Sequence, residues 1–175
     1  MTASTVKSAS ITGFDSVPVT LQQGSKQGNK AKEYKETYEV ATTSIDEVGD
    51  IIKMIRLPSR LRVSEIIIYN DDMDSNGTPT LAADVGLYNS QSGSVADADC
   101  FGSAITTLQS ANTLGVNVCN EAADIANMGK MIWEYCSGVT SDPQVPLDLA
   151  LTITTQAATA VAGTLSIVVR GSLDN

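Results

Sequence analysis

Asp72-x-Asp74-x-Asn76-Gly77 sets three short oxygen-bearing side chains at alternate positions ahead of a glycine. A calcium-binding helix-loop-helix begins with this spelling, because those oxygens converge on one cation when the loop turns at the glycine. The rest of such a loop is missing. Counted from Asp72, the seventh position is Thr78, whose carbonyl could serve, but the twelfth, which needs a bidentate glutamate, is Ala83, and Pro79 falls inside the loop. Asp, Asn and Gly are also the residues of a strand-connecting turn, since their side chains bond nearby backbone amides and Gly accepts positive φ. The turn reading is preferred; the competing one is a cation site in a β-loop formed by Asp71, Asp72, Asp74 and Asn76.

Other chemistry is constrained by what is absent. The chain has no histidine, which removes the usual general base and the middle member of a nucleophilic triad. Cys100, Cys119 and Cys136 form no CxxC pair and have no histidine to complete a zinc site, so they read as buried free thiols. Twenty Asp and Glu leave a glycosidase-like carboxylate pair conceivable, although carboxylates on an acidic chain are mostly solvated surface. Trp133, the single tryptophan, reads as a core or edge-covering residue, with a sugar-stacking platform as the minority role. No catalytic residue, metal ligand or cofactor site is assigned, and the chain is expected not to be an enzyme.

The elements that would position these residues are strands. At 175 residues the chain fits one domain, and with 42% hydrophobic but 5% aromatic residues its core must be Val, Ile, Leu and Ala. In "PLDLALTIT", Leu147, Leu149, Leu151 and Ile153 alternate with Asp148, Ala150, Thr152 and Thr154, the period of a half-buried strand. "GTLSIVVRG" repeats it with Leu165, Ile167 and Val169 inward, and "QAATAVA" between the two suggests an antiparallel return. "TLAADVGLYN" places Leu81, Ala83, Val85 and Leu87 on one face. "DIIKMIRLP" and "RLRVSEIIIYN" read as consecutive strands joined by a tight turn at Pro58-Ser59, and "YKETYEVATT" and "GKMIWEYCSG" as two more. Helix is scarce: one or two turns are expected after Asp99 in "DADCFGSAITTLQSA", and a short one in "NEAADIANMG" after Asn120. Seven to nine short strands with no repeating period predict an all-β, jelly-roll-like sandwich.

Charge divides the chain. Residues 1–35 carry five lysines against Asp15 and Glu33, whereas residues 36–175 carry six basic and eighteen acidic residues. The expected organisation is an extended N-terminal arm over 1–35 and a sandwich domain over 36–175. An acidic body repels nucleic acid, whose binding depends on cations that replace counterions on phosphate. No stretch approaches the roughly 20 apolar residues of a membrane span, and the N-terminus lacks a secretory layout, so a soluble chain made without export is expected. "GSKQGNKAKEYK" reads either as a solvated tether or as a strap that orders on an acidic partner. For the strap, Ile11, Phe14, Val17, Val19 and Leu21 would be apolar anchors and Lys26, Lys30, Lys32 and Lys35 would steer.

The order of segments resembles a family. A strand ending in Asp71-Asp72, the Asp84-Val85-Gly86-Leu87-Tyr88 strand, Asp97-x-Asp99-x-Phe101, and a last hairpin with Thr159, Ala160 and Gly163 together are similar to the jelly-roll decoration, or cement, proteins of tailed bacteriophage heads, over about residues 50 to 171. The resemblance implies a homotrimer on the outer surface of the capsid, bound to the major capsid protein, its N-terminal extension lying over neighbouring subunits and its body holding the shell against packaged DNA. A carbohydrate-binding jelly roll on a tail or capsid surface is the alternative.

Overall fold

The computed structural model describes residues 5–18, 31–119 and 129–173. Their strands are β1 (Thr5–Lys7), β2 (Ala31–Val40), β3 (Ile51–Leu57), β4 (Leu61–Asn70), β5 (Ala82–Asn89), β6 (Val95–Ile105), β7 (Asn112–Asn117), β8 (Leu147–Thr155) and β9 (Gly163–Leu173), and a helix, α1 (Ala9–Asp15), follows β1. One sheet has the order β1-β3-β8-β5-β6 and the other β2-β9-β4-β7. Within them β2 pairs with β9, β3 with β8, β4 with β7 and β5 with β6, all antiparallel. First strand with last, second with second-last: this is a long hairpin rolled on itself, and the protein is an eight-stranded jelly roll with β1 added in parallel beside β3.

Alternation in the sequence decides which faces meet. Leu147, Leu149, Leu151 and Ile153 of β8, Ala83, Val85 and Leu87 of β5, and Leu165, Ile167 and Val169 of β9 are all buried in one core with Ile66 and Ile68 of β4. Burying a side chain of this size contributes about 1.5–3 kcal/mol, so the interlayer space supplies the driving force for folding. β3 and β4 are joined by a turn in which the Leu61 amide bonds the Pro58 carbonyl at 3.0 Å, and the chain changes sheet there.

Three sequence expectations are corrected. β8 and β9 do not pair with each other: the 156–162 segment arches from one sheet to the other and is pinned on the way, as described below. The residues after Asp99 continue β6 to Ile105, with only a single 3₁₀ turn at Thr107–Gln109. Their amides bond across to β5, which outweighs a weak local helical preference. "GKMIWEYCSG" is a 3₁₀ turn over Ile132–Tyr135, not a strand. Its backbone bonds locally, Met131 donating its amide to the Glu134 carboxylate at 2.6 Å and Cys136 its amide to the Trp133 carbonyl at 3.2 Å. Of "NEAADIANMG", all but Gly129 lies outside the described residues.

Gly86 marks a close approach. β6 carries three extra residues between its pairings with Val85 and Leu87, and a Cβ on Gly86 would lie 2.2 Å from the Ala98 backbone that arches over it. Only glycine leaves room for that arch.

Candidate functional site

The acidic motif lies where four interstrand loops gather at one end of the roll. Asp74 is 1% exposed, and both its oxygens are used by the backbone. Oδ2 accepts from the amides of Thr80 at 2.7 Å, Leu81 at 3.1 Å and Ala158 at 3.0 Å, and Oδ1 from Thr159 at 2.8 Å. Burial works to raise its pKa, but four amide donors outweigh burial and hold the group down at about 2. Asp72 Oδ1 takes the Asp74 amide at 3.0 Å, Asn76 Oδ1 takes the Thr78 amide at 2.9 Å, and Asp71 Oδ2 takes the Thr164 amide at 2.9 Å. Both oxygens of Asp74, one each of Asp71 and Asp72 and that of Asn76 thus accept from backbone N–H groups, the bonding of a turn. Among the described residues no cluster of three or more His, Cys, Asp or Glu could hold a metal ion.

What this arrangement does is mechanical. The β4–β5 loop carries the chain from one sheet to the other, the 156–162 arch carries it back, and Asp74 ties the two crossings together. The Ser75 amide to the Thr159 carbonyl and the Val161 amide to the Met73 carbonyl, both 3.1 Å, complete the tie. Asn70, also buried, donates to the carbonyls of Thr107 at 3.1 Å and Ser110 at 2.9 Å and so brings in the β6–β7 loop.

A second constellation joins the N-terminal segment to the flank of the roll. Ser8 caps α1, its side chain accepting the Ile11 amide, and the helix buries Ile11 against the body. Ser10 hydrogen-bonds the buried Glu36 carboxylate on β2. An ionic chain then runs inward: Lys7 Nζ to Asp15 at 2.8 Å, Asp15 to Arg56 at 3.0 Å, Arg56 to Asp148 at 2.7 Å, and Asp148 to Lys53 at 3.8 Å. It passes from exposed Lys7 to an Asp148 side chain only 2% exposed. The Lys7 hydrogen bond, with Arg56 helping against desolvation, lowers the Asp15 pKa. Arg56 is disfavoured as a cation by desolvation, which its bonds to Asp148 and Asp15 more than offset, so its pKa is raised. The same guanidinium lies 5.5 Å from the centre of the Phe14 ring, and the Lys53 ammonium 5.2 Å from that of Tyr88.

These contacts revise the picture of the arm. Within 1–35, residues 5–7 form β1, residues 9–15 form α1, and β2 starts at Ala31, so this part of the segment is not an extended strap. Ile11 is wholly buried in its own chain and is unavailable to a partner; burying it there removes apolar surface that a free arm would leave in water. Phe14 is half-buried beside Arg56, whereas Val17 is 97% exposed. Lys32 is half-buried on β2 with no ionic partner among the described residues, and Lys35 pairs with Glu33 at 2.6 Å. Phe14, Lys32, Tyr34, Arg56, Pro58 and Pro146 line a groove of about 470 Å³ at this corner. Val19, Leu21, Lys26 and Lys30 lie outside the described residues. Sequence reasoning missed the docked helix, whose signals were present: a Ser8 cap and apolar residues three apart at Ile11 and Phe14.

The remaining candidates resolve into packing or local bonding. Trp133 is partly buried against the core, and the Tyr135 ring two residues on packs against Phe101 at 5.0 Å, tilted by 45°. Asp97 accepts the Ser137 amide at 2.6 Å, and Asp84 the Ala104 amide at 2.7 Å. The side-chain hydrogen bond with Asp97, helped by burial, raises the Asp99 pKa. All three cysteines are free.

No family model matches this chain, and none of the curated proteins does. Two solved structures share its fold. A chain in the capsid of Ralstonia phage GP4 superposes with a TM-score of 0.63 at 18% identity, covering 98% of this chain and 99% of that one. A chain in the cyanophage Pam1 capsid asymmetric unit superposes with a TM-score of 0.56 at 19% identity, covering 82% and 85%. The likeness is one of fold.

Proposed function

We propose that this protein is a structural component of a bacteriophage virion, a decoration or cement protein that sits on the outer surface of the head as a homotrimer bound to the major capsid protein. The observation that carries the reading is the end-to-end correspondence with a chain of the GP4 phage capsid, 98% of one against 99% of the other. Its chemistry is consistent with that role. Asp74 and Asp148 are spent on backbone amides and on internal cations, bonds that tie the sandwich together as a structural role requires.

In this reading α1 is the root of the arm, and the basic segment beyond it makes the contact with the shell. Exposed Val17, Lys32 at the corner groove and Lys35 on the edge strand β2 are the described residues assigned to it, followed by Val19, Leu21, Lys26 and Lys30. A specific interface buries about 1,200–2,000 Å² in total, more than the exposed side chains of α1 alone offer. Light scattering of the purified chain is expected to give a trimer, and sedimentation with expanded phage shells to carry it into the pellet. A stable monomer that stays in the supernatant would reject the proposal.

A further inference from the structure

β6 and the 3₁₀ turn after Met131 run side by side and are held at two points. At one, the Ser137 amide donates to Asp97 Oδ2 at 2.6 Å; at the other, the Phe101 and Tyr135 rings pack with centroids 5.0 Å apart. Between these points, adjacent to Phe101 on one segment and to both Tyr135 and Ser137 on the other, stand Cys100 and Cys136, whose thiols are in hydrogen-bond contact. Cys136 is buried, Cys100 is half-buried, and both are free thiols. Cys119 is buried and its thiol takes no part in the contact.

We propose that Cys100 and Cys136 are an oxidisable pair that closes to an internal disulfide when the folded chain meets a small-molecule disulfide, locking the 3₁₀ turn onto β6. One thiolate attacks a sulfur of the small disulfide, forming a mixed disulfide and releasing one small thiol. The second protein thiolate then attacks the protein sulfur of that mixed bond and expels the other small thiol. The protein loses two protons and two electrons, and the small disulfide gains them as two thiols. Cys100, the less buried of the two, makes the first attack. Its contact holds the Cys136 thiol below its ordinary pKa against the effect of burial, which favours Cys136 as the thiolate that closes the bond. In a reducing compartment the pair stays open, and outside it the pair closes. The inference does not depend on the capsid reading.

The test uses the folded chain incubated with oxidised glutathione at pH 8, followed by thiol counting in denaturant, peptide mapping and thermal melting. Free thiols are expected to fall from three to one, with a single cross-linked peptide joining Cys100 to Cys136. The Tm should rise by about 8 °C, since the bond closes a long loop containing β7, and dithiothreitol should reverse the change. Cys119→Ser should behave like the parent, and Cys100→Ser should retain both remaining thiols or gain only a glutathione adduct. Three thiols persisting in the treated parent, stable adducts without a cross-link, or a cross-link to Cys119 would each overturn the assignment.

Discussion

The loop end of the roll and its N-terminal flank both rely on buried carboxylates, yet they bind different kinds of donor. Asp74 is held by four backbone amides whose positions the strands fix, with no flexible side chain to order and no ion to be screened. Asp148 is held by Arg56 and Lys53, and that pairing continues outward through Asp15 to an exposed lysine. The first device belongs to the fold, because it fixes where the chain changes sheets. The second is an attachment whose strength grades from firm at Asp148 to weak at Lys7.

The contrast is broken most severely at Asp74. Asp74→Ala strands four amides at two sheet crossings and is expected to cost about 3–5 kcal/mol in urea denaturation. Acid should reach the same bonds. With a folded pKa of about 2 and an ordinary value of 3.8, Asp74 contributes its full stabilisation above roughly pH 4 and loses it as the pH falls through 2. In melts from pH 5 downward, the pH-dependent loss of Tm is expected to be smaller in Asp74→Ala than in the parent, because the variant has no such bonds left to lose.

Arg56→Ala should come next, costing about 2 kcal/mol by leaving Asp148 with only the longer contact to Lys53. Limited proteolysis should then cut within residues 5–18 before the sandwich opens. An uncut N-terminus in that variant would mean that buried Ile11, the Ser10–Glu36 bond and the β1–β3 pairing suffice as the anchor. The smallest effect is expected at Lys7, where the ion pair is exposed on both sides: Lys7→Ala should change stability by about 0.5 kcal/mol or less, and 0.5 M salt should remove the difference.

The sandwich was legible where one face of a strand is apolar. Leu147 to Ile153 and Leu165 to Val169 announce their inward faces because the period is two and the opposite residues are small or polar. Which strands pair was not legible, since β8 and β9 follow one another yet lie in different sheets, and Asp74, which pins the arch between them, is 84 and 85 positions from the two arch amides it holds. The turn role of Asp72 and Asn76 could be read from their spacing because those bonds are two residues long. The apolar run around Trp133 misleads because a 3₁₀ turn pressed on a core and a short buried strand require the same residues. The docked helix stayed hidden because five lysines in 35 residues suggested a solvated arm, while the Arg56 and Glu36 side chains that hold it come from later strands.

Shell stability is the most direct measure of the proposed role. Phage heads lacking this protein, heated with and without it added back, should rupture at a clearly higher temperature when it is present, at a stoichiometry of whole trimers. An unchanged rupture temperature at saturating protein, with no density on the outside of the particle, would contradict the account.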